Sequence, residues 1–229
     1  MKRSKRYQSA RGFLETGKTY ALPDAIELVK KTATTKFDGS VEVHIRLGID
    51  PKQSDQQVRG TVVLPHPTGS KKVLAAFVTP DKAQEAKDAG ADFVYDVQDI
   101  EKIAKGTEKI RFDIALALPT MMRELGKIAK ILGQKGLMPN PKTETVTPNI
   151  GQAIKELRGG KVAYRVDANG NIHQVVGRAS FEPNILKENI EAFLDAVKRA
   201  RPEALKGRFI LGATIHATMG PGVALDIAS

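Results

Sequence analysis

Near the end of the chain, Thr218-Met219-Gly220-Pro221-Gly222 sets a hydroxyl, a thioether, two glycines and a proline in five consecutive positions. Gly220 and Gly222 let a backbone approach a partner closely, and Pro221 stiffens the turn. Thr218 can offer its hydroxyl to a 2′-OH or a phosphate. Met219 can offer a flat, polarizable surface to a sugar or base. Double-stranded RNA is read by shape and by 2′-OH contacts across its shallow minor groove, which suits small residues on a rigid turn. Read alone, these residues also fit an ordinary turn. A second stretch with matching chemistry is Lys36-Phe37-Asp38-Gly39-Ser40. Lys36 can pair with a phosphate. Phe37 either packs against a ribose or base, or seals the core at a strand entrance.

Other residues carry less. Gly133-Gln134-Lys135-Gly136-Leu137-Met138-Pro139-Asn140-Pro141-Lys142 combines two Gly with two Pro, a spacing expected to forbid regular structure. Lys135 and Lys142 add charge, but the stretch reads as a structural loop. No G-x-x-x-x-G-K-[ST] string occurs, and no G-x-G-x-x-G follows the apolar run at Val73, so no nucleotide cofactor is expected. His44, His66, His173 and His216 are scattered along the chain. His44 and Glu42 share a strand face, but two ligands make a poor metal site, so these read as surface histidines and no metal is expected. No nucleophile, base and orienting group suggest themselves as a set, and an enzyme is not expected.

Composition agrees with a polyanion partner. Lys and Arg total 36 against 26 Asp and Glu, a formal net charge of +10 in 229 residues. Nucleic acid is the first candidate for such a surplus and an anionic membrane the second. The chain is 41% hydrophobic, enough for a packed core, and no run approaches a membrane span in length. There is no Cys, which removes thiolate metal sites and a Cys nucleophile. Aromatic residues are only 5%, too few for a platform that stacks single strands. A soluble, cytoplasmic protein is expected.

The elements that must position these residues show two styles. Residues 1–18 form a basic arm, ordered only if something acidic holds it. Leu22-Pro23-Asp24 starts a helix that runs to about Thr34. Val41, Val43, Ile45, Leu47 and Ile49 then alternate strictly with polar residues and Gly, the pattern of a strand with one buried and one wet face. Asp50-Pro51 turns the chain and Val58 to Leu64 is expected to return. From Pro65 the style changes. Val73 to Val78, Phe93 to Tyr95 and Phe112 to Leu118 are apolar strands. Between them lie short helices at Asp81 to Ala89 and near Gln98 to Ala104, which indicates a parallel α/β unit. A helix from about Met121 to Leu132 closes that unit. After Arg158-Gly159-Gly160 the alternating style resumes. Val162, Tyr164 and Val166 lead to an Asp167-to-Gly170 turn, read as a hairpin returning through Ile172 to Val176. Pro183 opens a helix with Leu186, Ile190, Phe193, Leu194 and Val197 on one face. Phe209, Leu211, Ala213 and Ile215 form a last alternating strand.

The first 66 residues alone are a marginal size for a core, and both flanks share one chemistry. The fold class is therefore α/β and α+β in two domains. The first is a discontinuous α+β domain, 1–66 with 160–229, built on a mostly antiparallel sheet. The second is an inserted Rossmann-like three-layer α/β/α domain, 67–159. The two Pro- or Gly-rich crossings would serve as a hinge.

Taken together, the strings resemble the L-one family of large-subunit ribosomal proteins in its bacterial form. The residues that carry the resemblance include Phe37-Asp38-Gly39-Ser40-Val41-Glu42-Val43-His44 and Ser54-Asp55-Gln56-Gln57-Val58-Arg59-Gly60-Thr61-Val62. They continue with Gly136-Leu137-Met138-Pro139-Asn140-Pro141-Lys142 and Thr218-Met219-Gly220-Pro221, and span essentially the whole chain. The resemblance implies a first domain that binds the mobile stalk of large-subunit rRNA near the tRNA exit site. It implies assistance to the release of deacylated tRNA, repression of the protein's own operon through its mRNA, and a monomer off the ribosome. The RNA-binding positions it implies are Lys36, Phe37, Ser40, Glu42, Asp167, Thr218, Met219, Gly220 and Pro221. The chain departs from the family pattern at Pro67, Ser70, Gln134 and Glu144, the last where Gly or Ala is usual. Ala168 and Asn169 stand where Lys and Thr are common. The competing reading is an α/β enzyme binding a phosphorylated small molecule in the inserted domain. It lacks support at Val78-Thr79-Pro80-Asp81, where such a site needs a glycine-rich turn.

Overall fold

The computed structural model describes residues 3–53, 55–69, 72–203 and 205–227. Met1, Lys2, Ser54 and Ser70 lie outside the described residues, as does the side chain of Lys142. In chain order the helices and strands are α1 (Lys5–Arg11), α2 (Leu22–Thr32), β1 (Ser40–Leu47), β2 (Arg59–Val63), β3 (Leu74–Phe77), α3 (Ala83–Asp88), β4 (Phe93–Tyr95), α4 (Val97–Ala104), β5 (Ile114–Ala117), α5 (Met122–Leu125), α6 (Ala129–Gln134), α7 (Ile150–Arg158), β6 (Lys161–Arg165), β7 (Asn171–Arg178), α8 (Pro183–Arg199), β8 (Ile210–Ala217) and β9 (Val223–Leu225). The chain divides into two compact units, Met1–Gly69 with Val162–Ser229, and Ser70–Lys161.

In the first unit a four-stranded sheet runs in the order β7-β1-β8-β9, every pair antiparallel. Its inner face follows from the period-two pattern of β1: Val41, Val43, Ile45 and Leu47 are buried, while Glu42, His44 and Arg46 face outward. Helices α2 and α8 supply the other half of this core. The three-to-four spacing of Leu186, Ile190, Phe193 and Val197 puts all four side chains fully inside, while Leu194 is only partly buried. Asn189 shares that buried stripe because its amide is used: it accepts from the His66 N–H and donates to the carbonyls of His66 and Val176.

Four expectations for this unit are corrected. Residues 5–11 of the basic arm are a helix, because the Ser4 hydroxyl accepts from the Tyr7 N–H at its start and Ala10 is buried. Arg6 also donates to Thr34. Strand β2 does not return to β1 but pairs with β6 in a separate two-stranded sheet. The expected hairpin around Asp167 is a turn whose flanks belong to different sheets: Val166 donates to Val58, while Asn171 stands opposite Arg46. In β8 the alternation slips by one residue. Ile210 stands opposite Leu47 and Gly212 opposite Arg46, so Leu211 is the extra residue of a bulge. Leu211 is consequently exposed and Ile210 buried, the reverse of the expected phase. Strand β9 was not foreseen. Its three residues are too few to show a pattern, and its outer edge is covered by Tyr20, which bonds to Ala224 and Asp226.

In the second unit β3 lies between β4 and β5, all parallel. The four residues of β3 are all buried, as a strand covered on both faces requires. The path goes from β3 to β4 on one side and then to β5 on the other. Right-handed crossovers therefore place α3 and α4 on opposite faces. Helix α3 packs on α7, and α4 on α5. The single helix expected over 121–132 is broken, with a 3-10 turn at Gly126–Ile128 between α5 and α6. Helix α6 runs on through Gly133 and Gln134, which corrects the expectation that this stretch holds no regular structure. Among the described residues no helix is long and apolar enough to cross a membrane.

Candidate nucleic-acid interface

The sequence separates Lys36–Ser40 from Thr218–Pro221 by most of the chain, and the sheet brings them together. β1 starts where β8 ends, with Val41 opposite Ala217. Beyond that pair the two loops are tied by a reciprocal clamp. The Ser40 N–H donates to Thr218 Oγ1 at 3.0 Å, the Thr218 hydroxyl donates to the Ser40 carbonyl at 3.2 Å, and the Thr218 N–H donates to the same carbonyl at 2.9 Å. The fit is close: a Cβ on Gly39 would lie 3.3 Å from Thr218 Cβ. On the other side the loop is held by the last residue of β7 and the turn that follows it. Ser180 donates to the Asp38 carboxylate through its N–H at 3.0 Å and its hydroxyl at 2.8 Å, and Arg178 donates to the Asp38 carbonyl.

This clamp leaves two large apolar side chains in solvent. Phe37 is 59% exposed and Met219 66%. Of the two readings left open for Phe37, a core seal is excluded by that exposure. Met219 sits at φ 63°, a left-handed conformation that costs a non-glycine residue about 1 kcal/mol or more. The Gly220 N–H closes the turn on the Ala217 carbonyl at 2.8 Å, so Met219 occupies the third position of a tight turn and is thrust outward. Lys36 is exposed beside Phe37.

The remaining candidates have different settings. Pro221 is buried, so it stiffens the turn from inside and presents no surface. Gly220 is partly exposed, and a Cβ there would meet the Ala217 carbonyl oxygen at 3.0 Å. Ser40 is tied up by its backbone in the clamp. Thr218 spends its hydroxyl proton on Ser40, so toward an RNA it can act only as an acceptor. Glu42 is on the wet face of β1, its side chain 32% exposed. Asp167 closes its own turn: it accepts from the N–H groups of Asn171 and Asn169 at 2.7 and 2.8 Å. Those bonds, Asn171 first, hold its carboxyl down at about 2, so it is a fixed anion.

Sequence reasoning missed what lies between Glu42 and Asp167. Three of the four histidines, read as scattered, form one row on the wet face. His44 Nδ1 lies 2.6 Å from His173 Nδ1, and His44 Nε2 lies 2.8 Å from His216 Nε2. His173 Nε2 reaches Asp167 at 3.4 Å. The register makes the row: His173 stands opposite His44 on β7, and His216 opposite Glu42 on β8. Burial pushes the His44 ring below its ordinary value, helped by His216 and His173 and opposed by Glu42. The one signal available in the sequence was that Glu42 and His44 alternate on the same face. His66 stands apart, paired with Glu188 at 2.8 Å.

In the second unit the departure at Glu144 has a geometric cost. Its φ is 54°, and its carboxylate pairs with Lys161. The turn after β3 is a 3-10 turn at Pro80–Lys82, with no glycine to admit a phosphate.

A comparison with protein families matches residues 29–221 to the model described as the ribosomal protein L1p/L10e family. The matched span contains every candidate RNA-binding residue from Lys36 to Pro221.

Proposed function

The chain belongs to the ribosomal protein L1p/L10e family, a ribosome-associated, rRNA-binding component of the large subunit rather than an enzyme, and from that premise we propose how it grips RNA. The Lys36–Ser40 loop and the 218–220 turn, at one end of the four-stranded sheet, form the primary contact. The observation that carries this reading is the Ser40–Thr218 clamp, which fixes exposed Phe37 and Met219 on one rigid edge. Exposed apolar side chains on a preordered edge lose little freedom when a ribose or base packs on them. Glu42 and Asp167 are anions on the same face, and they accept hydrogen bonds from 2′-OH groups, which DNA lacks. Lysines and arginines supply sequence-independent attraction to phosphates.

The target we propose is the mobile stalk of large-subunit rRNA near the tRNA exit site. By the same shape-reading contact the protein would bind a similar fold in its own operon mRNA and repress translation. We also propose a part in releasing deacylated tRNA, a monomeric state off the ribosome, and that the two compact units act as separate domains, the first discontinuous and the primary RNA binder.

The test is binding to a stalk RNA fragment at several salt concentrations. Phe37→Ala and Met219→Ala are each expected to weaken binding by about 1–3 kcal/mol with an unchanged salt slope, the worth of a stacked base. Lys36→Ala is expected to reduce the slope by about one counterion. If both apolar variants bind as the wild type does, the site is elsewhere. Competition between stalk RNA and the operon mRNA for one site tests the repressor role.

A further inference from the structure

We propose that Glu42, His44 and His216 form a binding site for a divalent transition metal of borderline softness, zinc foremost. One oxygen and two imidazole nitrogens already converge. The three ligand atoms lie within 4.8 Å of one another, with His44 Nε2 2.8 Å from His216 Nε2 and 3.9 Å from Glu42 Oε2. A tetrahedral ion with bonds of about 2.0–2.2 Å spaces its ligands about 3.3–3.6 Å apart. The rings need part by about 0.5–0.8 Å and the carboxylate approach His44 by about 0.3–0.6 Å. The Glu42–His216 separation, up to 4.8 Å, must close by as much as about 1.2–1.5 Å, which a side-chain rotation on a partly exposed face supplies. Two imidazoles and one carboxylate with an open fourth position make a zinc donor set, whereas magnesium asks for an oxygen octahedron.

The surroundings orient the ligands. A metal-binding histidine commonly donates its other ring N–H toward a carboxylate or carbonyl. Here a chain of two bonds does this. Asp167 is ionised and accepts from His173 Nε2–H. The His173 Nδ1 lone pair is then free to accept from His44 Nδ1–H. That fixes the His44 tautomer with its Nε2 lone pair aimed at Glu42 and His216. His216 Nδ1 is buried and has no hydrogen-bond partner, so the nitrogen open to the cluster is Nε2. With no metal bound, the His216 Nε2–H donates to the His44 Nε2 lone pair at 2.8 Å, and a metal takes His216 Nε2 as its proton moves to Nδ1. Among the described residues no other group of histidines and carboxylates converges in this way.

The test uses the full chain stripped of metal with a chelator, titrated calorimetrically with zinc alone and, separately, with magnesium. Histidine ring NMR follows the same titrations. Zinc is expected to bind with one equivalent while magnesium does not compete, and the ring signals of His44 and His216 move while those of His66 stay. Glu42→Gln and His216→Ala each lower zinc affinity by more than about 100-fold, and His173→Phe lowers it by about 10–100-fold, the usual effect of removing an orienting partner. His66→Gln changes nothing. Thermal melts of each variant show whether it folds. If His216→Ala does not, the near-isosteric Glu42→Gln and His44→Gln decide. Zinc binding no tighter than magnesium, or zinc affinity unchanged in folded Glu42→Gln and His44→Gln, overturns the proposal and leaves only a hydrogen-bonded row of rings.

Discussion

Replacing Thr218 with Val keeps the β-branched shape and removes only the hydroxyl. In the folded protein that hydroxyl makes two bonds to one residue, accepting from the Ser40 N–H at 3.0 Å and donating to the Ser40 carbonyl at 3.2 Å. The carbonyl keeps a partner in the Thr218 N–H at 2.9 Å, so its loss is small. The Ser40 N–H loses its side-chain acceptor at a partly buried position, and partial access of water limits the penalty to about 1 kcal/mol rather than the full cost of a buried orphan. For a unit of this size that is roughly 3 °C in Tm. It is also about a fivefold change in the folded-to-unfolded ratio. Thr218→Ser restores both bonds and should recover most of the loss. Urea unfolding followed by circular dichroism measures the first quantity. Binding to the stalk RNA fragment measures the second consequence: the loosened clamp lets the Phe37 loop wander, and affinity falls with no change in salt slope, because no cation is removed. A Thr218→Val protein that unfolds at the wild-type urea midpoint would refute the clamp. A clamp lost without loss of RNA affinity would detach it from the binding site.

Three further outcomes are expected. Glu144→Gly should stabilise the second unit by about 0.5 kcal/mol, because glycine relieves a φ of 54° while Lys161 keeps its pair with Glu156 at 2.7 Å. Glu144→Ala, which keeps the strain and loses the ion pair, should destabilise it, and thermal melts give both signs. Asn189→Leu should cost about 2–4 kcal/mol in denaturant unfolding, since it strands the His66 N–H and the carbonyls of His66 and Val176 beside a fully buried site. Asp167 has its carboxyl lowered from 3.8 to about 2, so its ionised form contributes stability above pH 3.8 that is lost as pH falls through about 2. Stability measured against pH for wild type and Asp167→Ala should differ by a constant amount in neutral solution, and the difference should shrink across that acid window.

Local pattern carried much of the fold. The strict alternation from Val41 to Leu47 fixed a strand and its buried face, and the spacing of Leu186, Ile190, Phe193 and Val197 fixed the inward side of a helix. Continuous apolar runs marked the parallel strands at Leu74–Phe77 and Ile114–Ala117. Where the pattern was short or conflicting it misled. Leu211 fits the alternation of its neighbours, yet a bulge turns it outward, because pairing with β1 is worth more than keeping one leucine in phase. The basic charge of residues 5–11 hid a helix whose signal was one serine at its cap.

The residues we propose to touch RNA were legible as types: a turn of small residues, an exposed aromatic candidate and a lysine. Their assembly was not. Whether Phe37 is core or surface depends on what covers it, and no window of sequence contains that neighbour. That Thr218 spends its hydroxyl proton on Ser40 is a contact across 178 positions. The clearest case is the histidine row. The sequence determined that Glu42 and His44 share a face, since side chains on a strand alternate with period two. Only the tertiary structure decided that His173 and His216 stand beside them, because strand neighbours and register are set by burying two whole faces at once, and a slip of one residue would have turned either ring to the other side.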